Sequence, residues 1–382
     1  MKISFFSNYL NAHQLPLALA FGSMPDVEFT CVSLVAGGGN VGRVNLDHDY
    51  QFVIRAYEDG TEAAEAMRHA VEDDIVVFQH MAGHEEYVRA RAATGKPFFR
   101  ATERLLKRGA WWRWMPPKMY RTWDWFTRYK KSPMRVLCIS GYAAEDLARF
   151  GFPAERCLKW AYFPPVDCNP VEARRPMLQR DAELCSAQRL IPWKRVDLQV
   201  RLAARLKETG IAFHLNIAGD GPEREELVRL TKELGVDAEV SFLGTLSRDD
   251  TSTLMEKSDV FLATSNRKEG WGCTVNEAMA AGCALVASDA IGAVPFLTED
   301  GSNGVSFKSE DLDDLCAKVA ALCGNPAKIE QLSRRAVATM DEVWNARVAA
   351  ERFVEYSRAF LEGREVAYPS GPMSPCVAGD RL

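Results

Sequence analysis

Two glutamates, Glu269 and Glu277, stand on either side of a short glycine-containing stretch that could bind an anion. Gly270 and Gly272 leave the backbone bare just before a helix that is predicted to begin near Cys273. The amides at a helix N-terminus, aided by the helix dipole, favour a diphosphate at this point. Glu277 lies about one turn into that helix, where a carboxylate can accept both hydroxyls of a ribose. Glu269 precedes the helix and can meet whatever group the diphosphate carries. Taken singly, each glutamate would also fit an ordinary surface turn.

A basic pair, Arg189 and Lys194, follows the predicted strand Glu183–Gln188 and precedes the predicted helix Val196–Thr209. Cations at a helix N-terminus oppose the helix dipole, so their placement here calls for a compensating anion. Fixed positive charge is also what a departing diphosphate requires, because its negative charge grows as it leaves. The alternative is an exposed basic pair that simply opens the helix.

Short apolar runs alternate with helical stretches along the chain, a pattern typical of parallel α/β sheets. The predicted strands are Lys2–Ser7, Val27–Leu34, Gln51–Arg55, Asp74–Gln79, Pro97–Ala101 and Met134–Ser140, then Glu183–Gln188, Phe213–Ala218, Ala238–Leu243, Asp259–Thr264, Cys283–Ser288 and Val305–Phe307. Ligands of such sheets bind at the carboxyl ends of the strands.

The domain organisation follows from where these two series of strands lie. We expect a Rossmann-like domain at 1–165, a proline-rich linker at 166–182 and a second Rossmann-like domain at 183–345. A helix at 346–363 is expected to complete the first domain, and the tail at 364–382, rich in Pro, Gly and Ser, is expected to be disordered. The fold class predicted is thus α/β, with two doubly wound domains facing each other across a cleft.

Composition excludes several classes of protein. The 382 residues carry a net charge of −5 and 47% apolar side chains, as in globular proteins and unlike nucleic-acid binders. No apolar run approaches the ~20 residues of a membrane span, and the first residues lack a signal-peptide pattern. Ten cysteines without a C-x-x-C pair indicate reduced thiols in a cytoplasmic protein.

One motif points to another chemistry. Residues 37–42 match G-x-G-x-x-G after a strand, the fingerprint of a nicotinamide-dinucleotide site. That site needs a helix directly afterwards, and Arg43–Tyr50 has no helical periodicity. A loop is the better interpretation.

The stretch Glu269–Gly282 as a whole resembles the signature of retaining glycosyltransferases of family 4, the glycosyl transferases group 1, which have the GT-B fold. Ser186–Arg195 looks like the G-R-L-x-x-x-K segment of that family, with Gln188 in place of the usual glycine. Ile217–Pro222 resembles its G-x-G-P loop, and Val240–Gly244 its strand beside the nucleotide base. The resemblance is strong over about 183–345 and thinner before it.

The resemblance implies a role for each matching residue. Catalysis would rest on Glu269, His80, Lys194 and Arg189. The donor site would comprise Arg189, Lys194, Gly219, Leu243, Glu269, Gly270, Trp271, Gly272, Cys273, Thr274, Val275 and Glu277. Asn11, His13 and His84 would lie on the acceptor side, although the first turn, Asn8–Gln14, lacks the glycines common in the family. The donor would be a UDP- or GDP-sugar, with no cofactor and no metal ion.

The implied function is transfer of a sugar to a hydroxyl acceptor with retention, in cell-surface polysaccharide or glycolipid synthesis. A nucleotide-sugar hydrolase or epimerase on the same fold, and a silent binding module, are the alternatives. The segment 104–131 bears on the acceptor, because it holds nine basic residues, one acid and five of the nine tryptophans. It predicts contact with an anionic membrane at the cytoplasmic face and a lipid-linked acceptor, against the alternative that its aromatics are core.

Overall fold

The structure is a computed structural model, and it describes residues 1–37, 45–79, 81, 83–166, 168 and 181–376. Its contacts divide the chain into two units. One comprises Met1–Pro165 together with the chain from Val343 onward, and the other lies within Val166–Glu342. Each unit is built on one parallel sheet with helices between its strands.

The first unit has a seven-stranded sheet in the order β3-β2-β1-β4-β5-β6-β7. Its strands are β1 (Lys2–Ser7), β2 (Glu28–Ser33), β3 (Val53–Arg55), β4 (Ile75–Gln79), β5 (Phe98–Thr102), β6 (Met134–Cys138) and β7 (Cys157–Lys159). Its helices within this part of the chain are α1 (Leu15–Gly22), α2 (Gly60–Glu72), α3 (Glu85–Ala93), α4 (Pro116–Trp125) and α5 (Ala143–Ala148). The central strand β4 is buried along its whole length, because helices cover both faces of a parallel sheet.

The second unit has a six-stranded sheet in the order β10-β9-β8-β11-β12-β13. Its strands are β8 (Ala182–Ala187), β9 (Phe213–Ala218), β10 (Val240–Gly244), β11 (Val260–Ala263), β12 (Ala284–Ser288) and β13 (Val305–Phe307). Its helices are α6 (Val196–Glu208), α7 (Arg224–Glu233), α8 (Arg248–Lys257), α9 (Cys273–Ala280), α10 (Val294–Leu297), α11 (Leu312–Cys323) and α12 (Pro326–Ala338). The chain changes direction across the sheet between β8 and β11, and ligands of doubly wound sheets bind at such a switch point.

The prediction of two parallel α/β sheets is confirmed, and each of the twelve predicted strands is present with ends shifted by at most two residues. The helix predicted at 196–209 is also confirmed. Analysis of the sequence missed β7, a strand of three residues at the edge of the first sheet. So short a strand carries too few residues for an alternating or continuous apolar pattern.

The last helix, α13 (Ala346–Leu361), belongs to the first unit, and a buried aromatic side chain lies at the centre of its contact with the sheet. The ring of Phe353 lies 4.9 Å from that of Phe99 and 5.7 Å from those of Phe5 and Trp160. Phe353 is fully buried, so α13 supplies the centre of an aromatic cluster that β1 and β5 cannot close by themselves.

The tail expected to be disordered is ordered as far as Cys376, and for residues 364–376 that expectation is wrong. Met373 donates its amide to the carbonyl of Lys159 over 2.8 Å, and Cys376 donates to that of Cys157 over 2.9 Å. Both Met373 and Cys376 are buried. The composition of the tail gave no sign that the edge strand β7 offers it unpaired backbone groups. Residues 377–382 lie outside the described residues.

We expect Phe353→Ala to lower the free energy of unfolding of the first unit by about 3–5 kcal/mol, the usual loss for a fully buried phenylalanine. Leu361→Ala on the same helix is the matched control, because Leu361 is 44% exposed and should change stability by less than about 0.5 kcal/mol. Urea unfolding followed by tryptophan fluorescence measures both. Equal losses for the two variants would show that α13 is not anchored through Phe353.

Candidate functional site

The glycine-containing stretch of the second unit forms the last part of the loop between β11 and α9, a turn into the helix. Gly272 has φ +93° and directly precedes the first residue of α9. A Cβ atom at this position would lie 2.8 Å from a methyl group of Ile291, so both the backbone conformation and the lack of space require glycine. The turn thus brings a bare backbone to the N-terminus of α9, as the sequence predicted.

Lys194 and Glu269, 75 positions apart in the chain, meet in an ion pair. The Lys194 Nζ atom lies 2.5 Å from Glu269 Oε2, and the two side chains are 14% and 15% exposed. The carbonyl of Trp193 also accepts the amide of Asn266 over 2.8 Å, so the two loops are joined by their backbones as well. The two strongest motifs of the sequence therefore form one site, at the carboxyl ends of the neighbouring strands β8 and β11.

A buried polar network holds the Lys194 loop in place, and sequence analysis missed it. Ser186 donates to Gln199 over 2.7 Å, and Gln199 donates to the hydroxyl of Thr264 over 2.9 Å. Thr264 in turn donates to the carbonyl of Lys194 over 2.9 Å. Gln199 is fully buried on α6, among apolar neighbours. A glutamine on the buried stripe of a helix is the signal that could have revealed it.

The loops after β8, β9 and β10 are also tied together by their backbones. The amide of Gly219 donates to the carbonyl of Gly244 over 2.7 Å, and that of Gln188 to Ala218 over 3.0 Å. A Cβ atom on Gly219 would lie 1.8 Å from the carbonyl oxygen of Gln188, so this glycine lets the two loops touch. Gly219 therefore leaves room for the backbone of Gln188 at this crossing of the two loops.

Glu277 lies in the second turn of α9 and is partly buried. Burial raises the pKa of its carboxyl group, and the charge of Arg248 acts in the opposite direction. A carboxylate at this position has oxygen atoms that can accept hydrogen bonds from hydroxyl groups.

The other residues predicted on the donor side differ in their exposure. Arg189 and Leu243 are exposed, whereas Gly270 is buried and Cys273 and Thr274 are partly buried. The side chains of Trp271 and Val275 are buried, and the Trp271 indole donates to Asn276 over 2.8 Å. Because both side chains are buried, Trp271 and Val275 can serve a donor only through their backbone groups, and their place in the donor site stays a prediction. Their burial holds the turn and the first residues of α9 on the sheet.

In the first unit, the turn after β1 is built by polar side chains in place of glycines. Asn11 accepts the amide of His13 over 3.0 Å and donates to Gln14 over 3.0 Å. Asp47 is fully buried and accepts the amide of Leu10 over 2.8 Å and the Ser33 hydroxyl over 2.7 Å. Sequence analysis did not identify Asp47, because its partners are distant in the chain.

His84 lies beyond the carboxyl end of β4, which pairs with β1, so His84 and the Asn11–His13 turn follow neighbouring strands. Its Nδ1 atom lies 3.4 Å from Glu86, and its side chain is 32% exposed. His80, predicted to meet the donor sugar, lies outside the described residues. So do Gly38–Gly42 of the G-x-G-x-x-G match, and the described residues 45–52 that follow contain no helix.

The described residues offer neither a metal cluster nor a membrane-spanning helix. Across them, no group of three or more His, Cys, Asp or Glu side chains has the geometry to hold a metal ion. In the same part of the chain, every helix is too short or too polar to cross a bilayer.

Comparison with known proteins points to one family for the second unit. Residues 173–338 match the family "Glycosyl transferases group 1". Among curated proteins, D-inositol 3-phosphate glycosyltransferase of Mycolicibacterium paratuberculosis is 32% identical over 151 residues, which cover 39% of this chain and 34% of that protein. The chain spans between about a third and less than half of the length of the curated relatives it matches.

Solved structures extend the similarity of fold to nearly the whole chain. Anabaena Alr3699/HepE, solved in complex with UDP, matches with a TM-score of 0.72 at 18% identity and covers 94% of this chain and 100% of that one. The lipopolysaccharide outer core galactosyltransferase WaaB, in its apo form, matches with a TM-score of 0.70 at 18% identity, with 94% and 99% covered. The chain therefore has the GT-B fold of two parallel α/β sheets, and its residues 173–338 match the glycosyl transferases group 1.

Proposed function

We propose that this protein is a retaining glycosyltransferase that moves a sugar from a nucleotide diphosphate sugar to a hydroxyl group of an acceptor. The observation that carries the proposal is the meeting of Lys194 with Glu269 beside the N-terminus of α9. A cation, a carboxylate and bare helix-terminal amides together suit a diphosphate with a sugar attached.

Each group has a distinct task in this proposal. Lys194 and the exposed Arg189 bind the diphosphate, and the ammonium of Lys194 has three protons, so it can hold a phosphate oxygen and Glu269 together. Glu269 orients the sugar, aided by the amides of Gly270–Gly272. Glu277 accepts the ribose hydroxyls, and Leu243, 40% exposed at the end of β10, lies against the base.

The chemistry proposed requires no protein nucleophile. The bond between the anomeric carbon and the diphosphate oxygen breaks while the acceptor oxygen bonds to the same face of the sugar. The acceptor proton passes to the departing phosphate oxygen. Lys194 and Arg189 stabilise the charge that grows on that phosphate, so positioning and electrostatics supply the rate enhancement.

The acceptor side is proposed for the first unit, where Asn11, His13 and His84 follow the neighbouring strands β1 and β4. His80, which directly follows β4, is proposed to meet the donor sugar. We propose that the acceptor is a saccharide or glycolipid of cell-surface synthesis in the cytoplasm. The donor proposed first is a UDP-sugar, because the Anabaena protein was solved with UDP, and a GDP-sugar is the second choice.

A direct test combines binding with turnover. Calorimetry with UDP and GDP should give saturable binding of one of them, and radiolabelled UDP-glucose with a panel of acceptors should give a product that retains the anomeric configuration. Donor incubated without acceptor is the control. Rapid release of free sugar in that control would favour the nucleotide-sugar hydrolase instead, and inversion in the product would contradict the mechanism.

Lys194→Ala should reduce kcat/KM for the donor by about 2–4 kcal/mol of transition-state stabilisation, because the leaving diphosphate loses a fixed cation. Lys207→Ala is the matched control, since Lys207 also forms an ion pair, 2.8 Å from Glu239, but lies on the exposed part of α6. Initial rates at varied donor concentration measure both variants. Normal turnover by Lys194→Ala would contradict the assignment of the donor site.

The two glutamates should differ in what their loss changes. Glu277→Gln should weaken binding of the free nucleotide diphosphate, because the ribose loses a charged acceptor. Glu269→Gln should leave that binding nearly unchanged and slow transfer, because Glu269 acts on the sugar. Calorimetry with the product nucleotide separates the two effects, with the exposed Glu226→Gln on α7 as control. Equal loss of nucleotide binding in both glutamine variants would rule out the division of roles.

A further inference from the structure

Six large apolar side chains stand out into solvent on one short stretch of the first unit. This stretch, the aromatic–basic face, consists of the 3-10 helix Ala110–Trp114 and the helix α4 that follows it. Its exposed members are Trp111 (60%), Trp114 (69%), Met115 (44%), Met119 (48%), Tyr120 (65%) and Trp123 (47%). The described part of the whole chain has only ten large apolar side chains so exposed, so this face holds most of them. The alternative that these aromatics are core therefore fails for Trp111, Trp114 and Trp123.

The charge around these side chains is of one sign. The segment 104–131 has nine basic residues and a single acid, Asp124. Asp124 is buried, and it is already paired with Arg89 at 3.3 Å and with Arg128. The charge that this segment presents to solvent is therefore positive, although the chain as a whole carries a net charge of −5.

The cations and the aromatic rings are interleaved at short range. The guanidinium of Arg113 lies 4.6 Å from the ring of Trp114, that of Arg108 5.3 Å from Trp112, and that of Arg121 5.2 Å from Trp125. Stacked guanidinium groups keep their hydrogen-bond donors free at the ring edges. The face therefore presents groups that can bind phosphate directly beside aromatic rings.

Buried polar contacts hold the aromatic–basic face on the first unit. The carboxylate of Asp146 accepts the amides of Leu105 and Leu106 over 2.7 and 2.8 Å and so fixes the chain just before the face. Beneath the exposed residues, Lys118 is buried, with its ammonium 4.9 Å from the Trp112 ring. Burial, together with the charges of Arg121 and Lys107, lowers the pKa of Lys118 to about 8. Such a shift is expected for an ammonium group that is removed from water beside other cations.

We propose that the aromatic–basic face docks this protein on a bilayer of anionic phospholipid. Tryptophan and tyrosine prefer the interfacial zone of a bilayer, and arginine binds the phosphates of its headgroups. A protein partner or a second copy of the chain would need a matching acidic surface to cover so many cations, whereas an anionic bilayer supplies that charge everywhere. Docking is argued from the face alone. Only the consequence that the acceptor is carried by the membrane rests on the proposed function.

Flotation with vesicles tests the proposal. The protein should float with vesicles of 70% phosphatidylcholine and 30% phosphatidylglycerol at low salt, and about 0.5 M NaCl should release it, because salt screens exposed charges. Binding to vesicles of pure phosphatidylcholine should be much weaker. Absence of flotation with the anionic vesicles at low salt, or equal binding to both vesicle types, would overturn the proposal.

Two pairs of variants assign the binding to the face. Arg108→Glu with Arg121→Glu should lower the partition coefficient about tenfold or more, since each basic residue near an anionic surface contributes several-fold. Arg68→Glu with Arg201→Glu, which makes the same charge change at exposed positions outside the face, is the control.

The second pair of variants tests the tryptophans. Trp111→Ala with Trp114→Ala should also reduce binding to the vesicles, whereas Leu19→Ala with Leu361→Ala, exposed at 46% and 44%, should not. Equal losses in a variant and its control would overturn the assignment.

Two further measurements distinguish docking on a bilayer from misfolding and from self-association. Calorimetry with whichever of UDP and GDP the wild type binds should give wild-type binding by the Trp111→Ala/Trp114→Ala variant, so loss of flotation with intact nucleotide binding supports docking and shows that the protein is folded. Failure of the proposed function would appear instead as absence of both UDP and GDP binding in the wild type, with flotation unaffected. Sedimentation velocity without vesicles should give a monomer, and a dimer that the tryptophan variant abolishes would identify a second copy as the occupant and overturn the proposal.

Discussion

The ion pair between Lys194 and Glu269 is the contact on which the candidate site depends. Two opposite charges at 14% and 15% exposure are each costly to bury alone, so each side chain requires the other. The pair therefore joins the loop after β8 to the loop before α9 wherever the second unit is folded. The pair also keeps the Lys194 cation at the edge of the sheet where an anionic ligand would bind. Without the carboxylate, the dipole at the N-terminus of α6 would disfavour a cation at this place.

The remainder of the site is positioned by groups that have no part in the proposed chemistry. Ser186, Gln199 and Thr264 form a chain of hydrogen bonds that ends on the carbonyl of Lys194. Gly272 and Gly219 allow approaches of the backbone that any side chain would block. Because the interior of a sheet is closely packed and its buried polar groups are satisfied, these loops have little freedom to move apart. Such rigidity suits a reaction whose catalysis is proposed to consist of positioning and charge.

The first unit also holds its loops in place by buried contacts, but with different residues. Its first turn has no glycines, and the buried carboxylate of Asp47 holds it by accepting the amide of Leu10 and the hydroxyl of Ser33. Phe353 of α13, far away in the sequence, completes its aromatic core, and the chain around Met373 forms backbone hydrogen bonds with its edge strand β7. The same unit leaves a patch of tryptophans exposed among arginines, and exposed apolar patches of this kind are typical of interaction surfaces.

Local patterns of apolar residues and glycines were enough to predict the fold class, all the strands but β7 and the start of α9 at Cys273. Which residues meet is a property of the assembled sheets. Assembly paired Lys194 with Glu269, buried the rings of Trp271 and Phe353, and exposed those of Trp111 and Trp114. It also brought Gln199 and Asp47 to their partners and placed the tail around Cys376 on β7. Contacts of this kind join residues tens to hundreds of positions apart, and no local pattern specifies them until the sheets have formed.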